Sequence, residues 1–218
     1  MLKTLKIEKM DLLIAVYIFC IAVAELMGGK TFPIATIGTF KLNASVAIFV
    51  VPVIFSINDI ITEVHGKERT RSIIRSGLLV VALILLFTLL ATNLPPSKRF
   101  MATEPAYDKI FSTSTRIAAA SLTAFALAEF LDVWIFAKIR EKLGKTRLWL
   151  RTNASNILSQ LVDTTVFITL AFWAFNKPAG DNIPFLIGLI VPYWLLKCLM
   201  SVVETPFVYL GVRWLRGK

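Results

Sequence analysis

The run Leu78–Ala91, LLVVALILLFTLLA, carries one polar side chain, Thr88, in fourteen residues. A segment this apolar belongs in hydrocarbon, where backbone N–H and C=O groups must find partners inside the segment and a single crossing must therefore be a helix. A window of about 20 residues finds six such stretches along the chain. They are Asp11–Met27, Asn43–Val64, Ser72–Thr92, Ile117–Ala137, Leu150–Trp173 and Pro184–Val212. The last is long enough to tilt or to break near Pro192 or Pro206. With 56% hydrophobic residues and a mean hydropathy of +0.72, nothing is left over for a separate soluble module. The predicted fold class is an all-α integral membrane protein, a bundle of six transmembrane helices in a single domain over residues 1–218.

The net charge of +10 does not read as a nucleic-acid surface, because the basic residues sit in short connections between apolar stretches. Sixteen fall in the set made of the N-terminus, residues 67–75, residues 138–151 and the C-terminus, against seven in the opposite set. That asymmetry predicts both termini in the cytoplasm and contact with anionic lipid. The basic-then-apolar start resembles a signal peptide, yet it shows no small-residue cleavage site and reads as a retained first span. KTFPIATIGTFKLN, residues 30–43, is expected to form a short extended or hairpin loop. In the long polar connection after the third span, Tyr107–Phe111 is expected to form a short interfacial helix. The third span is expected to face lipid.

Apart from Asp11 at the edge of the first stretch, seven of the fourteen acidic residues lie within the apolar stretches: Glu25, Asp59, Glu63, Glu129, Asp132, Asp163 and Glu204. Lys197 is the one basic residue deep in a span. Each costs at least a few kcal/mol near a bilayer centre, so it must be paired, neutral or solvated. At about 100° per residue, Asn153, Asn156, Gln160 and Asp163 fall within roughly an 80° stripe of the fifth span. Lys197, Ser201 and Glu204 share roughly a 60° stripe of the sixth. Asp59 and Glu63 mark one face of the second span, and Glu129 and Asp132 stand one turn apart in the fourth. Polar faces on four helices at similar depth are what a central binding cavity requires. The plain alternatives are structural. Asp59 or Glu63 pairs with Arg69 or Lys138 at the interface, Lys197 with Glu204 or Asp132 fixes helix packing, and Glu25 is an interfacial residue.

Several patterns carry no chemistry. Residues 24–31 fit a relaxed phosphate-loop pattern, but they follow a membrane helix instead of a strand. The sequons at Asn43 and Asn153 sit beside the membrane. Cys20 and Cys198 lie mid-span as small hydrophobes. The single histidine, His65, stands beside Gly66 with no ligand cluster, so no metal or other cofactor is expected. Without a nucleophile–base pair, the chain reads as a non-enzyme.

Four motifs in order complete the picture: Asp59, Thr62, Glu63, His65 and Gly66; Leu131 to Phe136 around Asp132 and Trp134; Arg151, Asn153, Ser155, Ser159, Gln160 and Asp163; and Lys197 with Glu204, Thr205 and Pro206. Together they closely resemble the queuosine precursor transporter family, also grouped as vitamin uptake transporters, over nearly the whole chain. The resemblance implies uptake of 7-cyano-7-deazaguanine (preQ0) or its aminomethyl relative preQ1 across the inner membrane for tRNA queuosine synthesis. It also implies a fold similar to the substrate-binding subunits of energy-coupling-factor vitamin transporters. Those dock a partner through small residues on the first helix. Here Ala15 and Ala22 form no alanine-x-x-x-alanine pattern, which favours a stand-alone carrier over one with an energising partner.

On that reading Gln160 and Asn156 meet the base edge, and Asp132 or Glu129 supplies a carboxylate. Trp134 or Phe136 stacks on the ring, Asp163 and Lys197 orient these groups, and Asp59, Glu63 and Glu204 serve gating or proton coupling. A proton-coupled carrier of another small solute and a membrane enzyme are the competing classes.

Overall fold

A computed structural model describes residues 7–38, 40–143, 148–203 and 205–217. They form α1 (Lys9–Met27), a hairpin of β1 (Thr31–Ile37) and β2 (Phe40–Ser45), then α2 (Val51–His65) and α3 (Lys67–Asn93). The remainder is α4 (Glu104–Leu143), α5 (Leu148–Phe172), α6 (Ala179–Val203) and α7 (Thr205–Arg216). The chain is a helical membrane protein. Among the described residues, five helical stretches are long and apolar enough to cross a bilayer, in α1, Val46–His65, α3, Glu104–Ala128 and Ala179–Leu199. Ile157–Phe172 of α5 is apolar but shorter.

The second stretch enters later than its hydropathy suggests. Asn43 belongs to β2, and the α-helix begins only at Val51. Ser45 accepts a hydrogen bond from the Ala47 N–H at 3.1 Å and starts a 3-10 turn, Val46–Phe49. Pro52 then sits in the first turn of α2, where its missing N–H costs nothing. The expected hairpin after α1 is present. Its strands pair antiparallel from Thr31 opposite Ser45 to Ile37 opposite Phe40, with an irregularity between Pro33 and Ala35. The proposed short helix at Tyr107–Phe111 is instead the opening of α4. Pro105 suits a first helical turn, and nothing after it interrupts the helix, so the polar composition did not mark a loop.

Gly66 alone joins α2 to α3, with φ 83°. That left-handed conformation disfavours any residue with a Cβ. Thr62 and Thr70 bridge the joint through their hydroxyls, 2.8 Å apart. The sixth stretch does not break at Pro192, which lies with Pro184 inside α6; α7 follows from Thr205, and residue 204 between them is outside the described residues. α7 docks on α2 where Gly211 leaves room for Ile60; a Cβ there would stand 2.3 Å from the Ile60 Cδ1. Lys9 at the start of α1 donates to the Trp214 carbonyl near the end of α7, so the described ends of the chain meet.

One core cluster joins Tyr17 and Ile21 of α1, Ile57 and Ile61 of α2, Ile73 and Val81 of α3 and Ala118 of α4. A second seats Ala44 of the hairpin against Ile168, Leu186, Leu189 and Tyr193. α3 leaves Leu79, Leu83, Leu86, Phe87 and Leu90 exposed, as expected of a lipid-facing helix. Its other face is buried.

The α5–α6 connection is fastened by Asn182, which is buried. Its Oδ1 accepts from the Ala174 N–H at 2.8 Å, and its Nδ2 donates to the carbonyls of Ala174 (2.9 Å) and Lys177 (3.1 Å). Asn182→Leu strands these backbone groups and is expected to destabilise the fold by about 2–3 kcal/mol. Thermal melting of the detergent-solubilised variant checks this. An unchanged melting temperature would contradict it.

Candidate functional site

The described part of the polar stripe of α5, Gln160 and Asp163, turns inward. Ser159, Gln160, Asp163 and Thr164 occupy two adjacent turns, so helical spacing puts them on one side, and α2, α3, α4 and α6 complete a wall around them. Two chambers result. One, of about 500 Å³, is lined by Gln160 together with Tyr17, Asn58, Gly77 and Phe125. The other, of about 250 Å³, lies towards the hairpin and is lined by Glu25, Ser45, Ser121, Thr164 and Tyr193. They meet at Asp163 and Lys197, which line both.

Lys197 Nζ donates to Asp163 Oδ2 at 2.6 Å. The two side chains are 15% and 28% exposed, so the pair is largely withdrawn from solvent yet reachable from the cavity. A charge-assisted contact this short, with both partners opposite and desolvated, fixes the spacing of α5 and α6 at the middle of the site. On the smaller chamber's wall, the Tyr193 hydroxyl donates to the Ser45 carbonyl at 3.0 Å, and Ser45 Oγ donates to the Gly28 carbonyl at 2.5 Å. These bonds tie α6, the hairpin and the end of α1 together. They close the bundle over Glu25.

The residues singled out in the sequence separate into three groups. Gln160, Asp163 and Lys197 line the cavity, and Lys197 pairs with Asp163; the Asp132 side chain and Glu204, the expected partners, lie outside the described residues. Glu63 lies elsewhere, on an exposed contact: Arg216 Nη2 stands 3.5 Å from its Oε1 and donates to its backbone carbonyl at 3.0 Å. Its partner is thus on α7, not Arg69 or Lys138. Asp59 is exposed, and Trp134 is half-exposed with Lys138 Nζ 4.9 Å from its ring centroid. Glu129 and Asp132 belong to α4 and Asn156 to α5, but their side chains lie outside the described residues, as does Glu204 altogether.

Sequence reasoning missed Tyr17, Asn58, Ser121, Thr164 and Tyr193, and left Glu25 equally between an interfacial and a functional role. Asn58 was the legible one, an amide inside the apolar run of α2. Its Oδ1 is buried with no hydrogen-bond partner among the described residues, so it is an acceptor held towards the larger chamber.

Polar groups carried into a bilayer bundle and turned on a shared concave space define a solute-binding membrane protein. The comparisons make that class more definite. The family model described as "Putative vitamin uptake transporter" matches residues 45–211, a span that includes Asn58, Gln160, Asp163 and Lys197. The chain belongs to that family. It is 28% identical over 177 residues to the "Probable queuosine precursor transporter" of Bacillus subtilis (strain 168), covering 81% of this chain and 75% of that protein. To the "Queuosine precursor transporter" of Escherichia coli (strain K12) it is 29% identical over 128 residues. That match covers 57% of this chain and 53% of the relative, about half of the E. coli protein's length. No solved structure gives a significant match.

Proposed function

We propose that this protein is a carrier, not an enzyme, that imports a queuosine precursor, preQ0 or preQ1, across the cytoplasmic (inner) membrane for tRNA modification. The observation that carries the reading is Gln160 beside the Asp163–Lys197 pair on a cavity of about 500 Å³, within the stretch matched by the family. A deazaguanine presents N–H donors next to a carbonyl acceptor. A glutamine amide offers both complements, and a carboxylate accepts from paired donors. Gln160, with Asn156, reads that edge in this account, and Glu129 or Asp132 adds a carboxylate. Asp163 and Lys197 orient the substrate, and Trp134 is a stacking candidate. Asp59, Glu63 and Glu204 are candidates for gating or proton coupling.

The whole chain acts as one domain that crosses the membrane six times, α5 included. The contact between Lys9 and Trp214 supports termini on the same side, and the excess of basic residues around that end supports the cytoplasm. A stand-alone carrier is favoured because α1 carries no alanine-x-x-x-alanine pattern for an energising partner.

The test is queuosine in the tRNA of a bacterium that cannot make preQ0, supplied with low external preQ0 and no added partner protein. Queuosine is expected with this gene and not with an empty vector. Gln160→Ala, at unchanged protein level in the membrane, is expected to abolish it. Full queuosine in that variant would remove Gln160 from the site. Failure of the unaltered gene would count against unaided import of preQ0.

A further inference from the structure

We propose that the smaller chamber is a cation-recognising pole of the cavity, where Glu25 and Thr164 hold a primary ammonium group on the substrate. This rests on the carrier reading above and adds a preference for the aminomethyl precursor over the nitrile.

Glu25 is 7% exposed and Thr164 is 2% exposed, and both line the chamber of about 250 Å³. Neither Glu25 Oε2 nor Thr164 Oγ1 has a hydrogen-bond partner among the described residues. For a helical threonine this is unusual within the same protein. Thr165, the next residue, returns its hydroxyl to the Leu161 carbonyl at 2.7 Å, and Thr62, Thr88 and Thr123 bond their own helix in the same way. Thr164 forgoes that bond while buried. A buried hydroxyl and a buried carboxylate oxygen left unmatched are both costly, so a group that fills the chamber and donates to them recovers that cost.

The missing counter-charge says what kind of group. Among the described lining residues Lys197 is the only cation, and Asp163 holds it at 2.6 Å. Arg116, at the same end of the bundle, spends its guanidinium on the carbonyls of Leu170 (2.6 Å) and Trp173 (2.7 Å). Glu25 therefore has no described cation to neutralise it. The chemistry of the two acceptors narrows the choice further. A single unpartnered carboxylate oxygen and a single hydroxyl, on two different helices, do not make the forked acceptor that a flat edge with two coplanar N–H groups needs. They do match an ammonium, which is compact and carries three donors. A nitrile offers only a lone pair and would face the lone pairs of Oε2.

The experiment measures binding of aminomethyl- and cyano-deazaguanine to the purified protein, to Glu25→Gln and to Thr164→Val. Glu25→Gln is expected to lose about tenfold or more in affinity for the aminomethyl compound and less than about threefold for the nitrile. Thr164→Val should show a smaller loss with the same selectivity. It decides the matter if Glu25→Gln does not elute as a folded protein. Equal losses for both compounds would overturn the inference, because they would mean that Glu25 reads the shared ring, binds a proton or only supports the fold. Unchanged affinities would overturn it as well. If the unaltered protein binds the nitrile and not the aminomethyl compound, the ammonium pole is wrong while the carrier reading stands. Binding of neither would sink both.

Discussion

Lys197→Met is expected to destabilise the protein and to abolish uptake, while Asp163→Leu combined with Lys197→Met regains most of the stability and none of the uptake. The reason is the asymmetry of desolvated ion pairs. Removing one partner of a buried pair costs about 3–5 kcal/mol because the other is left uncompensated, whereas replacing both by apolar groups of similar volume is often neutral. Residual exposure of 15% and 28% puts the expected loss for Lys197→Met towards the lower end of that range. Melting curves of the two single variants and the double variant form a double-mutant cycle, and uptake is assayed on the same set. If the double variant transports, the pair serves only to hold α5 against α6. If all three melt alike, the 2.6 Å contact contributes nothing to the fold.

Gly77→Leu is expected to weaken substrate binding about tenfold or more and to destabilise the bundle by about 1–3 kcal/mol. A Cβ at this position would lie 2.7 Å from Ile21 Cδ1, 3.0 Å from Tyr17 Cε1 and 3.2 Å from the Tyr17 hydroxyl. Ile21 and Tyr17 are both buried, and the space open to the tyrosine ring is the cavity that it lines. A larger side chain therefore separates α3 from α1 or pushes Tyr17 into the larger chamber, which both residues line. Adding Ile21→Ala should restore stability in part without restoring affinity, because the leucine would still occupy the cavity wall. Wild-type affinity in Gly77→Leu would place the substrate elsewhere.

Periodicity within one helix was legible in the sequence. It put Gln160 and Asp163 on one face of α5 and marked Lys197 as a cation in need of a partner. It is silent about contacts between helices. Nothing in the spacing of α6 points to Asp163 as the partner of Lys197, since that pairing depends on how α5 and α6 face each other. Glu25 shows the same limit. Two residues from the end of α1, it has the sequence position of an interfacial residue. It is buried because the hairpin folds back over that end, a tertiary event recorded by Ser45 bonding Gly28 and Tyr193 bonding Ser45. The start of α4 was misjudged for a different reason. Polar residues from Glu104 onward have the composition of a loop, yet they continue the axis of a 40-residue helix that extends beyond any hydrocarbon layer of about 30 Å.

The pairing of Asp163 with Lys197 across 34 residues also constrains how the protein can be made. A ribosome delivers α5 to the insertion machinery while the lysine is still unsynthesised, so the carboxylate meets lipid or the insertase alone. Stable lateral release of α5 must then wait for α6. The last two long helices are accordingly expected to enter the bilayer as a unit, with assembly of the transport site coupled to the end of translation.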